Sequence, residues 1–367
     1  MLNKEILLIV ILTSSACSII GPYLILRKMS MITDAISHTI LLGIVLAFFL
    51  VKDLSSPFLI LGATLMGVIT VYLSEKLAKT KLLKEDGAIG IIFPLLFSIA
   101  IILISKFASN VHLDIDSVLL GELAFTPFDR LYINNFDLGP KAVYISSLLL
   151  IINILFIYIF YKELLLMSFD ETLMKIIGFS NTVLHYLFVF IVSLTAVGSF
   201  QIAGSILIIT FMIGPGASAY IISNNLKKLI SLSVVIGIFN GILGYFIATI
   251  LDVSISGSIA VITGINFILI LLFAKENGLI IKYIQRRKQK INFQKSVLLF
   301  HILNHEGTVV EKEESRIDTI SIHLKWTNVK TNKIVKELLD DGLILNKNNY
   351  IEITLKGKKF LVHYFKN

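Results

Sequence analysis

Charge is scarce in this chain: only 16% of its 367 residues are Asp, Glu, Lys or Arg, while 56% are hydrophobic. A soluble globular domain carries about 25% charged residues, so most of this polypeptide is built for a lipid solvent. Cysteine is nearly absent. Cys17 stands alone inside the first apolar stretch, which excludes a disulfide framework, a zinc knuckle or a cysteine redox pair within one chain and leaves it a packing residue. No G-x-x-x-x-G-K-[ST] run occurs, so the phosphate-cradling loop of an ATPase is missing. The apolar stretch from Met1 runs on to Leu26 with no evident small-residue cleavage site, and reads as a first span rather than a signal peptide.

What is present are long apolar runs. A helix needs roughly 20 apolar residues to cross a bilayer, and about nine such spans are expected, near 5–26, 30–51, 57–75, 88–107, 142–161, 183–200, 202–222, 229–251 and 255–274. Gly43 and the run Gly214-Pro215-Gly216 interrupt two of them, which makes 30–51 and 202–222 the expected irregular segments. Beyond residue 274 the character changes. Residues 275–367 hold 18 of the 33 Lys+Arg and 10 of the 25 Asp+Glu, so the whole formal charge of +8 sits there and the membrane part is neutral.

Basic residues also set the orientation. Arg27, Lys28, Lys76, Lys79, Lys81, Lys84, Lys162, Lys175, Lys227 and Lys228 fall on the side of the basic tail, and by the positive-inside rule that side is the cytoplasm. The opposite side carries the acidic loop 108–141, which faces outward. The fold expected is an all-α polytopic membrane protein over 1–274, a basic juxtamembrane linker over 275–290 suited to anionic lipid, and a small α+β cytoplasmic domain over 291–367.

An ionisable side chain inside a span costs about 2.5–3.5 kcal/mol on insertion scales and marks a function by default. Asp34 and His38 are four residues apart, which stacks them on one helix face where one divalent ion can bridge them. A carboxylate with an imidazole suits manganese, iron or zinc, whereas calcium and magnesium favour oxygen alone and copper favours thiolate. The plain alternative is an Asp–His pair that holds the helix against its neighbours.

The surrounding stretch Met29 to Phe48, MSMITDAISHTILLGIVLAF, resembles the D-A-x-S-H and L-x-G-I-x-L-A signature of the manganese/zinc/iron ABC-transporter permease family. Further blocks agree in order: Asn110 to Gly121, Lys162 to Gly178, and Val192 to Ala217. The resemblance covers nearly all of 1–274 and implies that Asp34 and His38 ligate a transported ion. The ion is then cargo, with no permanently bound cofactor. Asp252 is a candidate third ligand or a solvated helix terminus. His112, Asp114 and Asp116 alternate, so in an extended segment they share a face; they attract cations from a donor protein, or simply belong to a structural outer loop.

The resemblance also gives Lys162–Thr182 a role. Its short helix, stopped at Gly178, is the family's coupling helix, placing Asp170, Met174 and Gly178 at the contact with an ATPase subunit; otherwise it lies on the inner leaflet. Expected partners are that ATPase, an extracytoplasmic metal-carrying binding protein, a second permease subunit and membrane lipid. The expected location is a bacterial cytoplasmic membrane.

In the tail, helices over 294–305 and 331–341 and strands over 343–345 and 350–355 outline a winged helix, which makes nucleic acid a lesser alternative partner to protein. Competing readings of the whole are an ion-coupled secondary transporter, against which the scarcity of intramembrane charge stands, and a membrane-tethered metal-responsive regulator.

Overall fold

The computed structural model describes residues 2–53, 56–107, 123–133, 136–347 and 349–366. The calls on His112, Asp114 and Asp116 lie outside the described residues. The chain divides into two compact units, Met1–Gly278 and Leu279–Asn367.

The first unit is a helical bundle: α1 (Leu2–Ser18), α2 (Gly21–Leu26), α3 (Ser30–Val51), α4 (Phe58–Ala78) and α5 (Glu85–Phe107). A strand pair follows, β1 (Arg130–Ile133) with β2 (Phe136–Pro140). Then come α6 (Lys141–Ile159), α7 (Tyr161–Phe169), α8 (Glu171–Ile176), α9 (Asn181–Ile222), α10 (Leu226–Leu251) and α11 (Ile255–Phe273). Among the described residues eight helices are long and apolar enough to cross a membrane, counting α1 and α2 as one.

The eight helices among the described residues agree with the eight to nine spans expected, since the expected segments 183–200 and 202–222 both lie in α9, which has 42 residues. Straight, such a helix would run about 63 Å, twice a hydrocarbon core of roughly 30 Å. It is broken at Gly204, whose φ of 75° and ψ of 165° a residue without Cβ adopts at little cost. The irregularity expected at Gly214-Pro215-Gly216 is therefore ten residues too late. Nor does Gly43 interrupt α3. A Cβ there would stand 2.5 Å from the Gly62 carbonyl oxygen and 2.7 Å from Ala63 Cα, so its role is to let α3 and α4 touch backbone to backbone.

The core forms around α9, where Phe188, Phe200, Leu207, Ile208, Phe211 and Met212 are all fully buried. Hydroxyls and amides stitch the helices across this apolar packing. The Thr13 and Ser146 hydroxyls lie 2.8 Å apart, Asn153 donates to the Ala16 carbonyl at 2.9 Å, Thr195 donates to Asn153 Oδ1 at 3.0 Å, and Thr70 donates to Thr39 at 2.8 Å. Such bonds average about 0.6 kcal/mol in a membrane bundle, so close packing carries most of the association.

The second unit comprises α12 (Leu279–His305), α13 (Glu311–Glu314), α14 (Ile317–His323), α15 (Asn328–Asp340), the antiparallel pair β3 (Ile344–Lys347) and β4 (Tyr350–Ile353), and α16 (Leu355–Lys366). Its core gathers Leu298, Leu299, Ile302, Ile320, Ile334, Leu338 and Ile351. The basic segment 282–290 of the expected linker forms the first turns of the 27-residue helix α12. The winged-helix outline reduces to a single two-stranded hairpin among five helices, a pattern too general to assign that fold.

Candidate functional site

Asp34 and His38 sit in the first turns of α3, and the helix brings His38 Nε2 to 3.6 Å from Asp34 Oδ1. The spacing expected from sequence is thus realised as one face. His38 is held from α5: its ring stacks on Phe93 at 5.5 Å and meets Phe97 edge-on at 6.0 Å. Aromatic contacts fix the imidazole's orientation while leaving its nitrogens open to a cation.

The other sides of α3 are tightly packed. Thr33, Ala35, Ile36, Ser37, Thr39 and Ile40 are all buried, yet the Asp34 and His38 side chains remain 40% and 36% exposed. One chain thus offers two donors on an open face. Among the described residues no group of three metal-binding side chains includes either of them, and Asp252, read from sequence as a candidate third ligand or a solvated helix terminus, is the exposed left-handed residue that ends α10.

One turn before Asp34, at Ser30, Met31 and Ile32, α3 borders a cavity of about 1330 Å³. Its wall is basic, with Arg27, Lys28, Lys79, Lys81 and Lys84 against Glu75, Glu85 and Asp86. A polar network crosses it. Arg27 donates to His185 Nδ1 at 2.7 Å, His185 Nε2 stands 2.5 Å from Glu75 Oε1, and Tyr186 donates to Glu75 Oε2 at 3.1 Å. Arg27 also lies over the Phe188 ring at 5.6 Å.

Sequence reasoning passed over Glu75. The signal was there: Glu75 is an acidic side chain within an apolar helix. The adjacent Lys76 and Lys79 made it look like a solvated helix end.

The stretch after α7 forms the helix expected to couple to a partner. Asp170 caps it, its Oδ1 accepting from the Leu173 amide at 2.9 Å. Gly178 ends it in the left-handed region at φ 91°, with the Phe179 amide bonded back to the Met174 carbonyl at 3.2 Å. Met174 departs from its expected place at the contact surface: it is fully buried in the bundle core, because that position of so short a helix must anchor it. The outward apolar residues are Leu173, Ile176 and Ile177, at 41%, 77% and 54% exposure.

On the side of the strand pair, Arg130 joins three segments. Its Nε donates to Asp137 at 2.9 Å, and its NH1 donates to Glu5 of α1 at 3.2 Å. The Arg130 hydrogen bond, with a second from the Gly139 amide, holds the Asp137 carboxyl below its ordinary value.

Comparison with known proteins gives the family. The zinc transport system membrane protein TroD of Treponema pallidum is 35% identical over 97% of both chains. The manganese transport system membrane protein MntD of Bacillus subtilis is 39% identical over 78% of this chain and 95% of its own. Among solved structures, PsaBC from Streptococcus pneumoniae in complex with Fab superposes with a TM-score of 0.61 at 30% identity, over 75% of this chain and 92% of the matched one. With residues 2–274 matching its family model throughout, the chain is a multi-pass membrane protein that belongs to the ABC 3 transport family.

Proposed function

We propose that the chain is the transmembrane permease subunit of an ATP-driven importer that moves manganese, zinc or iron ions into the cytoplasm. The observation that carries this reading is the Asp34–His38 pair, 3.6 Å apart on an otherwise packed helix. Two such donors leave a divalent ion at least two ligands short. Their open face therefore supports completion of the site by a second permease subunit, either another copy or a sister chain. The relatives named for zinc and manganese transport fit the same donor chemistry.

Hydrolysis belongs to a separate ATPase subunit that docks on Leu173, Ile176 and Ile177, with Asp170 and Gly178 shaping the helix and Met174 anchoring it. A metal-carrying binding protein delivers the ion on the opposite side. The basic face of the bundle, including the Arg27–Glu75–His185 cavity, is the cytoplasmic side of a bacterial cytoplasmic membrane by the positive-inside rule, and the C-terminal unit is cytoplasmic.

The test is uptake of manganese, zinc and iron into vesicles holding the permease with its associated subunits. Asp34→Ala and His38→Ala each reduce uptake to background with insertion and ATPase association retained. Full uptake by both variants refutes the assignment.

A further inference from the structure

Three of the chain's seven histidines converge on one glutamate in the C-terminal unit. His301 and His305 are one turn apart on α12, so they share a face, and their rings lie edge to face with centroids 5.0 Å apart. Gly307, at φ 77°, then reverses the chain, and α13 folds back to present Glu314. His323 arrives from the end of α14, its ring centroid 5.9 Å from that of His301.

The distances are those of a donor set. His301 Nε2 is 3.3 Å and His323 Nδ1 is 3.0 Å from the same oxygen, Glu314 Oε2; His301 Nε2 also donates to the Glu314 carbonyl at 3.2 Å, a bond it would give up on binding a cation. One donor atom from each of His301, His305 and Glu314 can be chosen so that all lie within 4.8 Å of one another. Ligands about 2.0–2.2 Å from a tetrahedral zinc-type ion stand somewhat closer together than this, so small side-chain rotations would close the set.

A second observation points the same way. Glu314 Oε2 is sealed from solvent yet accepts no hydrogen bond among the described residues, despite two ring nitrogens at ion-pair distance. A buried acceptor left in this state needs an explanation, and a cation among the surrounding donors supplies one.

The scaffold is firm around the cluster. The Ile351 amide of β4 bonds to the Ser315 carbonyl at 3.0 Å, the Ile317 amide bonds to the Asn349 carbonyl at 3.3 Å, and Leu298, Leu299 and Ile302 anchor α12 in the core of the unit. Held this way, the donors need little reorganisation.

We infer that His301, His305, His323 and Glu314 form a second metal site, separate from the transport pathway, that binds a divalent transition-metal cation of the zinc type. Three imidazoles and one carboxylate favour zinc over manganese by the metal series. Binding would clamp α13 and α14 onto the last turn of α12. The proposal does not rest on the transport reading, since the two sites share no residue.

The test is cobalt(II) titration of the purified full-length chain, followed by displacement with zinc. Tetrahedral ligand-field bands saturating at one cobalt per chain are expected, and they persist in the Asp34→Ala/His38→Ala variant. His301→Gln/His305→Gln weakens binding by roughly 100-fold or more, and Glu314→Gln by at least about tenfold, with helix content by circular dichroism unchanged. Should the double histidine variant misfold, Glu314→Gln alone decides. The inference is overturned if the wild-type chain shows no such bands, if they survive in Glu314→Gln at full affinity, or if they vanish when only Asp34 and His38 are replaced.

Discussion

His185 Nε2 stands 2.5 Å from Glu75 Oε1, joining the first turns of α9 to the last turn of α4 beside the basic cavity. A guanidinium can only donate, so His185 Nδ1 accepts from Arg27 and the ring proton resides on Nε2, facing the carboxylate. One imidazole thereby ties the α2–α3 corner, α4 and α9 together. The start of α9 directly follows α8, the proposed docking helix, and the α2–α3 corner leads into Asp34, so the network bridges the proposed docking and ion sites.

Replacing Glu75 by Gln removes the charge from that network and should cost about 1.5–3 kcal/mol, the range for a hydrogen bond to a charged group. Tyr186→Phe removes only the 3.1 Å bond and should cost less. Thermal unfolding of the detergent-purified protein reads both. A Glu75→Gln variant as stable as wild type would show that the clasp contributes nothing.

Gly43→Ala places a methyl group against the Gly62 carbonyl and should destabilise by about 1–3 kcal/mol through overpacking. Gly264 lies in α11 with nothing within 4 Å of its would-be Cβ. Gly264→Ala should therefore be neutral or stabilising by up to about 1 kcal/mol. The contrast between the two melting temperatures checks the claim, and equal shifts would contradict it.

Ile176→Glu should abolish co-purification with the ATPase subunit while leaving the permease folded, because Ile176 is 77% exposed. Met174→Ala acts differently. Its side chain is fully buried, so truncation should lower stability by about 2–5 kcal/mol and affect ATPase binding only through that loss. Pull-down and thermal unfolding measured together separate the two effects; an Ile176→Glu chain that still binds at wild-type strength would remove this helix from the contact.

The Arg130–Asp137 tie should be insensitive to pH over the neutral range. A carboxyl depressed in the folded state adds stability above its unfolded value, about 3.9 for aspartate, and that contribution disappears as pH falls through the lower folded value. Hydrogen exchange at the strand pair should be unchanged by the Asp137 titration from pH 7 to pH 5 and rise only below about pH 4. In Arg130→Ala the Asp137 carboxyl returns toward its ordinary value. Loss of protection near pH 6 in wild type would contradict this account.

Much of the membrane unit is legible in sequence because lipid leaves the backbone few options. An apolar run of 20 or so residues must be a helix to satisfy its own hydrogen bonds, and the turn of that helix puts Asp34 and His38 on one face. Errors fall where packing decides. Gly43 and Gly204 are both glycines in apolar runs, yet one allows two helices to touch and the other breaks its helix. Met174 and Ile176 are both apolar on one short helix, and only the bundle distinguishes the anchor from the exposed residue.

By itself, then, the sequence determined the membrane class, the apolar spans, the family signature and the Asp34–His38 pair, all of which rest on hydropathy or on spacing within one helix. The tertiary structure decided the Arg27–His185–Glu75 network and the His301–His305–Glu314–His323 cluster. Their members lie up to 158 residues apart in the first case and on three different helices in the second. Local periodicity carries no information about which distant side chains meet; only the packing of one helix against another supplies it.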